Sequence, residues 1–118
     1  MQIVNIAMAL LTIGFGLFGF LAPRWTAAAL DLKADGSAMG LSELRASVGG
    51  LFVVAGLAAL WLNQPVAWAM LGFVYAGAAL GRALSIVLDA PPLRKALTFG
   101  VIEALMALWL VAANLPGT

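Results

Sequence analysis

Four long apolar runs constrain the fold of this chain more than any other feature of its sequence. They cover about 3–22, 43–62, 66–88 and 96–114, and each stops at or near a proline. Each run is close to the roughly 20 residues that a helix needs to cross a bilayer. Because the backbone must satisfy its own hydrogen bonds in lipid, each run is predicted to be a helix. We therefore predict an all-α fold, a four-helix transmembrane bundle with the N- and C-termini on the same, outer side.

Composition supports the same class and excludes several functions. Charged residues make up 9% of the 118 residues, whereas a soluble domain has roughly 25%. The net charge of +1 provides no broad basic face for nucleic acid. Cys and His are absent, so the usual thiol nucleophile, general base and soft metal ligands are missing. We predict one domain over 1–118 with no metal, no cofactor and no catalytic residue, and we favour a non-enzymatic protein.

The basic residues predict the orientation of the helices, because such residues are enriched on the cytoplasmic side. The first link, 23–41, carries Arg24 and Lys33, and the third link carries Arg94 and Lys95. The second link and both ends carry none. The first and third links are therefore predicted to be cytoplasmic.

Aromatic residues and a short helix are predicted at the membrane boundaries. Trp25 follows the first run, and Trp61 and Trp68 bracket the second link. Tryptophan is enriched at the membrane interface, so these three residues are predicted to form aromatic belts. A short interfacial helix is predicted from Thr26 to Leu32.

The third run carries the polar residues from which a site is predicted. At about 100° per residue, Tyr75, Arg82, Ser85 and Asp89 share one helix face. A charge inside an apolar span requires a partner, and Glu103 is the only acid in the fourth run. A rise of about 1.5 Å per residue places Arg82 and Glu103 at a similar depth in the inner leaflet. We therefore predict that these two residues form an ion pair.

The role of this pair stays open between two interpretations. It either sets the register of two helices, which is the commoner fate of buried charge, or forms the centre of a polar pocket. Glu43 or Arg45 from the second run would complete that pocket near the inner leaflet. Both are equally explained as solvated charges in the headgroup zone. Asp89 is explained as a solvated helix-end residue or as one with a basic partner such as Arg24, Arg94 or Lys95, and Tyr75 as a packing residue.

Small residues predict where helices pack closely, because they let two backbones approach. The glycines assigned to packing are Gly16, Gly19, Gly49, Gly50, Gly77 and Gly81. In the first run, small and polar residues form one stripe, which comprises Asn5, Ala9, Thr12, Gly16 and Gly19. Residues 14–19 also match the Gly-x-Gly-x-x-Gly spelling of a dinucleotide loop. They lie in an apolar helix with no preceding strand, so helix packing explains them better.

The ordered set of charged and small positions resembles a bacterial family of four-helix inner-membrane proteins, a domain of unknown function. The pattern is Glu-x-Arg at 43–45, Gly-Gly at 49–50, Gly-Arg-x-x-Ser at 81–85, Asp-x-Pro at 89–91, and Glu103. Val48 departs from it, because the family has an aromatic residue there, and Ala90 stands where a glycine is common. The resemblance covers nearly the whole chain. It implies the fold and a multi-pass location in the bacterial inner membrane, and it implies no activity.

Three functions are compatible with these residues. We favour a non-enzymatic module that binds a lipid-like or quinone-like molecule in the polar pocket, or an accessory subunit of a membrane complex. Arginine's planar fork suits phosphate and carboxylate groups. An oligomeric proton- or ion-coupled transporter is the alternative, because intramembrane acids serve proton relays. A lipid-headgroup enzyme using Glu103 or Asp89 is the third. Membrane lipid is a predicted partner, and a homo-oligomer or a larger complex stays open.

Overall fold

The described part of the chain is helical and contains no strand. The computed structural model describes residues 2–33 and 38–115. In chain order the helices are α1 (Gln2–Leu21), α2 (Pro23–Ala29), α3 (Met39–Arg45), a π-helix (Ala46–Gly50), α4 (Leu51–Leu62), α5 (Pro65–Asp89) and α6 (Leu93–Asn114). The predicted all-α fold is confirmed.

Four stretches are long and apolar enough to cross a membrane. They are α1, the continuous helical stretch Met39–Leu62, α5 and α6, with mean hydropathies of 2.1, 1.7, 1.7 and 2.0. The chain is therefore a multi-pass membrane protein. The second span begins at Met39, four residues before the predicted start, because charged side chains near a helix end do not interrupt its backbone hydrogen bonds. Both termini lie outside the described residues, so their predicted location on one side stays a prediction.

The helices form two compact units, one from Gln2 to Trp61 and one from Leu62 onward. In the first unit α1 packs on the π-helix, and in the second unit α5 packs on α6. Each unit is described by itself below, and a single domain over 1–118 stays a prediction.

Close packing of backbones holds α1 against the π-helix. The buried residues of α1 are the predicted stripe of Asn5, Ala9, Thr12, Gly16 and Gly19. A Cβ added to Gly16 would lie 2.8 Å from the backbone oxygen of Gly49, and one added to Gly49 would lie 2.6 Å from the backbone nitrogen of Phe20. A Cβ on Gly19 would collide with the carbonyl of Val48. The packing predicted for Gly16, Gly19 and Gly49 is confirmed.

Two other glycines of this unit differ from the prediction. A Cβ on Gly50 would make only ordinary contacts, the nearest at 3.5 Å, so its side of the helix is less crowded. Gly56 was not assigned to packing, yet a Cβ there would lie 2.6 Å from the Cγ1 of Ile13. The π-helix contributes Gly49 and Val48 to the contact. Such wide turns are rare and often occur at functional positions.

The second unit is an antiparallel helical hairpin. Gly72 of α5 contacts Leu110 and Val111 of α6, whereas Arg82, later in α5, contacts Gly100, earlier in α6. The buried residues on α5 are Trp68, Ala69, Leu71, Gly72 and Tyr75, and those on α6 are Ala96, Met106, Ala107, Leu110 and Asn114. A Cβ on Gly72 would lie 2.8 Å from the Cβ of Leu110, so this glycine sets the closest approach of the two helices.

The packing predicted for Gly77 and Gly81 is wrong for this hairpin. A Cβ on either residue would meet no atom within 4 Å among the described residues. Gly77 follows the buried Tyr75 by two residues, which is about 200° around the helix. It therefore lies on the outward face of α5, opposite the contact with α6, and Gly81 lies one turn further on the same outward face.

The aromatic residues at the predicted boundaries fall into two groups. Trp25 is 59% exposed and Trp61 is 88% exposed, as expected for interfacial residues. Trp68 is only 2% exposed, and its Nε1 donates a hydrogen bond to the Oδ1 of Asn63 at 3.2 Å. It lies on the face of α5 that packs on α6, so its ring is not exposed as the other two are, and its predicted depth at a membrane boundary stays a prediction. The predicted short helix is present as α2 and begins at Pro23, since proline suits the first turn.

The backbone conformation of Ala90, the residue after α5, predicts that one substitution there increases stability. Ala90 has a φ of 46°, a left-handed conformation that glycine adopts without steric cost. Replacing Ala90 with glycine should raise the free energy of unfolding by about 1 kcal/mol. The same change at Ala83, an exposed position inside α5, should lower it by about 1 kcal/mol. Thermal unfolding in one detergent would measure both, and equal effects of the two variants would contradict the prediction.

Candidate functional site

The best-defined polar contact is the ion pair between α5 and α6. The Nε of Arg82 donates to Glu103 Oε1 at 3.2 Å, and its Nη2 donates to Glu103 Oε2 at 3.0 Å. Two parallel hydrogen bonds of this kind fix the geometry of a guanidinium and a carboxylate. The predicted pairing of these two residues is confirmed.

Two residues of α6 that precede Glu103 shape the space around Arg82. A Cβ on Gly100 would lie 3.2 Å from the Cγ of Arg82, so the glycine leaves room for the arginine stem. The Cζ of Arg82 lies 5.4 Å from the centroid of the Phe99 ring, within the range of a cation–π contact. Neither residue was among the predicted site residues. The available signal was their spacing, three and four residues before Glu103, which places them on one helix face.

The pair is accessible from outside the hairpin. The side chain of Arg82 is 34% exposed, and that of Glu103 is 16% exposed. A guanidinium has five N–H donors, and two of those on Arg82 bind Glu103. The remaining donors have no partner within the described hairpin. These donors are therefore open to an acceptor from outside the hairpin.

Two of the other predicted residues on α5, Tyr75 and Asp89, lie away from the pair along the helix. Tyr75 is buried in the hairpin core, Ser85 is half-buried, and Asp89 is exposed at the last residue of α5. Tyr75 and Asp89 each lie seven residues from Arg82, which is roughly 10 Å along a helix. These side chains therefore share a face of the helix but lie at different depths along it. Among the described residues the structure shows no ion pair at Asp89, which is exposed as a solvated helix-end residue would be, and a basic partner for it stays a prediction.

Arg45 binds the end of α1. Its Nη1 donates to the backbone oxygen of Phe20 at 2.6 Å. Phe20 is the next-to-last residue of α1, so its carbonyl is among the last four, which have no partner inside the helix. A cation there also interacts favourably with the helix dipole. Glu43 is exposed. A single pocket that joins Glu43 or Arg45 to Arg82 stays a prediction.

Two buried polar residues donate hydrogen bonds within their own helices. Thr12 Oγ1 donates to the oxygen of Met8 at 2.8 Å, and Asn114 Nδ2 donates to that of Leu110 at 2.9 Å. Such bonds lower the cost of burying these groups. Within residues 2–33 and 38–115, no group of three or more acidic side chains is placed to hold a metal ion.

A family model described as "Domain of unknown function (DUF4345)" matches residues 1–114. Among curated proteins and among solved structures, no match to the chain is found. The matched range contains both arginines described above and Glu103.

Proposed function

The chain belongs to DUF4345, a domain family of unknown function, and we propose that it is a non-enzymatic membrane module that binds a lipid-like or quinone-like molecule. The proposed site is the exposed side of the Arg82–Glu103 pair. The inner membrane of a bacterium is the proposed location, with the pair toward the cytoplasmic leaflet.

The unused donors of Arg82 are the observation that supports this proposal. Glu103 neutralises the guanidinium but accepts only two of its hydrogen bonds. A neutral carbonyl, such as that of a quinone or a lipid ester, accepts further hydrogen bonds without adding a third charge to an apolar region. We therefore favour a carbonyl-bearing head over a free anion at this site.

The position of the pair along the helices fits an amphipathic ligand. Arg82 lies seven residues before the end of α5, roughly 10 Å from that end. The head of the ligand would lie just below the headgroups, and its tail would extend along apolar helix surface. Ile102, which precedes Glu103, is 42% exposed and provides such a surface.

Binding of a short-tailed benzoquinone to the detergent-purified protein tests the proposal. Arg82→Lys keeps a cation opposite Glu103 but removes the planar fork and its spare donors. We expect it to weaken quinone binding about tenfold, since a hydrogen bond to a charged group contributes about that much. Equilibrium dialysis would measure the affinity. Arg94→Lys, at an exposed residue of α6, is the matched control and should bind as the wild type does.

Two outcomes would contradict this proposal. One is a wild type that retains neither quinone nor lipid in native mass spectrometry from a mild detergent. The other is equal quinone binding by the wild type and Arg82→Lys. Copurification of a second protein with the wild type, lost in Arg82→Lys, would favour the accessory-subunit role instead. The transporter and headgroup-enzyme hypotheses stay predictions of the sequence.

A further inference from the structure

A second site is indicated by an open cleft in the first unit, near the end of α1. The cleft has a volume of about 660 Å³. Its lining includes Phe20, Leu41, Ser42, Arg45, Ala46 and Leu51. Ser42 and Arg45 are three residues apart on α3, so they lie on the same side of that helix. Arg45 and Ser42 therefore form one polar wall of the cleft, and the other lining residues named here are apolar.

The guanidinium of Arg45 has hydrogen-bonding capacity left for a ligand. One donor binds the carbonyl of Phe20, and a guanidinium has five. Among the described residues Arg45 has no carboxylate partner, whereas Arg82 is neutralised by Glu103. The two sites therefore differ in charge. The Arg45 cleft presents a cation with no carboxylate partner in the described part of the chain, which favours an anion over a neutral carbonyl.

The position of Arg45 beside the end of a membrane span indicates the source of that anion. Its partner Phe20 is next to the last residue of the membrane span Gln2–Leu21. The guanidinium therefore lies at the end of a span, where the phosphates of one bilayer leaflet are found. Basic groups at this level attract anionic lipids.

We propose that this cleft binds an anionic phospholipid, with its phosphate on Arg45 and Ser42 and an acyl chain along Phe20, Leu41 and Leu51. Arginine's planar fork suits phosphate oxygens. The side chain of Leu51 is 54% exposed, so an acyl chain beside it would cover apolar surface. Inorganic phosphate shares the first contact but gains nothing from the apolar wall. The proposal thus requires the whole lipid.

Titration of the detergent-purified full chain with short-chain phosphatidylglycerol tests this site. Arg45→Gln removes the charge, and Ala46→Trp fills the cleft while it leaves the guanidinium in place. Each should weaken binding about tenfold or more, as expected for loss of a charge-assisted contact or of the space for the chain. The matched controls are Arg24→Gln and Val54→Trp, which change exposed residues of the same unit. Both controls should bind as the wild type does.

Every result of this titration decides the proposal. It is supported if Arg45→Gln and Ala46→Trp weaken binding and the two controls do not. Equal losses in Arg45→Gln and Arg24→Gln would show a general effect of surface charge and overturn it. Inorganic phosphate that binds as tightly as the lipid would also overturn it. If Arg45→Gln loses its helical circular dichroism, the comparison of Ala46→Trp with Val54→Trp gives the answer.

Discussion

Replacing Glu103 with glutamine should lower the free energy of unfolding by about 3 kcal/mol, the low end of the cost of breaking a buried ion pair. The variant leaves the guanidinium of Arg82 without a charged partner between two apolar helices. The low end applies because one third of the Arg82 side chain is exposed. Arg82→Ala should have a similar effect, since it leaves the carboxylate of Glu103 without a charged partner. Thermal unfolding followed by circular dichroism in one detergent would measure both.

A double variant distinguishes the contribution of the two charges to stability from that of the volume that the two side chains fill. Replacing both Arg82 and Glu103 with methionine removes the two charges together, and such replacements are often neutral or stabilising. We expect it to recover most of the stability lost in either single variant. Arg94→Ala is the control for loss of a basic residue from α6 and should change little. Unchanged melting temperatures in both single variants would show that the pair does not stabilise the hairpin.

Replacing Gly19 with alanine should lower the free energy of unfolding of the first unit by about 2–3 kcal/mol or more, as overpacking does in a tight interface. The added Cβ would collide with the carbonyl of Val48. Backbone atoms cannot move aside as the end of a flexible side chain does. The contact between α1 and the π-helix must therefore open.

Gly14 provides a matched control on the same helix. A Cβ there would meet no atom within 4 Å among the described residues. Gly14→Ala should leave stability unchanged or raise it by up to about 1 kcal/mol, because alanine is the better helix former. Unfolding of the two variants can be compared by circular dichroism. Similar effects of Gly14→Ala and Gly19→Ala would disprove the close approach at Gly19.

Residue spacing alone predicted much of the α1 packing face and the contact between α5 and α6. The stripe of Asn5, Ala9 and Thr12 with two glycines is the buried face of α1. Arg82 and Glu103 form an ion pair because an unpaired charge inside an apolar span is costly. Both predictions depend on the rotation and the rise per residue of a helix, which relate the number of a residue to its face and its depth.

The predictions that failed concerned which face of a helix meets a neighbour. Gly77 and Gly81 have the small-residue spacing of a packing motif, yet Gly72 is the glycine that contacts α6. Trp68 is buried on the face of α5 that packs on α6, whereas Trp25 and Trp61 are exposed. A helix pattern shows which residues share a face, but several faces of an apolar helix look alike. Only the partner helix selects one of them.

The sequence by itself determined that the described chain is helical, that it has four candidate membrane spans, and that Arg82 requires an acid. These follow from the cost of unpaired backbone groups and unpaired charge in lipid, which depends on composition and spacing. The tertiary structure decided that Gly100 makes room for Arg82 and that Arg45 binds the end of α1. Arg45 and Phe20 are 25 residues apart, and no local pattern relates them. Their contact exists because glycines let one helix approach another closely enough for a side chain to reach a carbonyl.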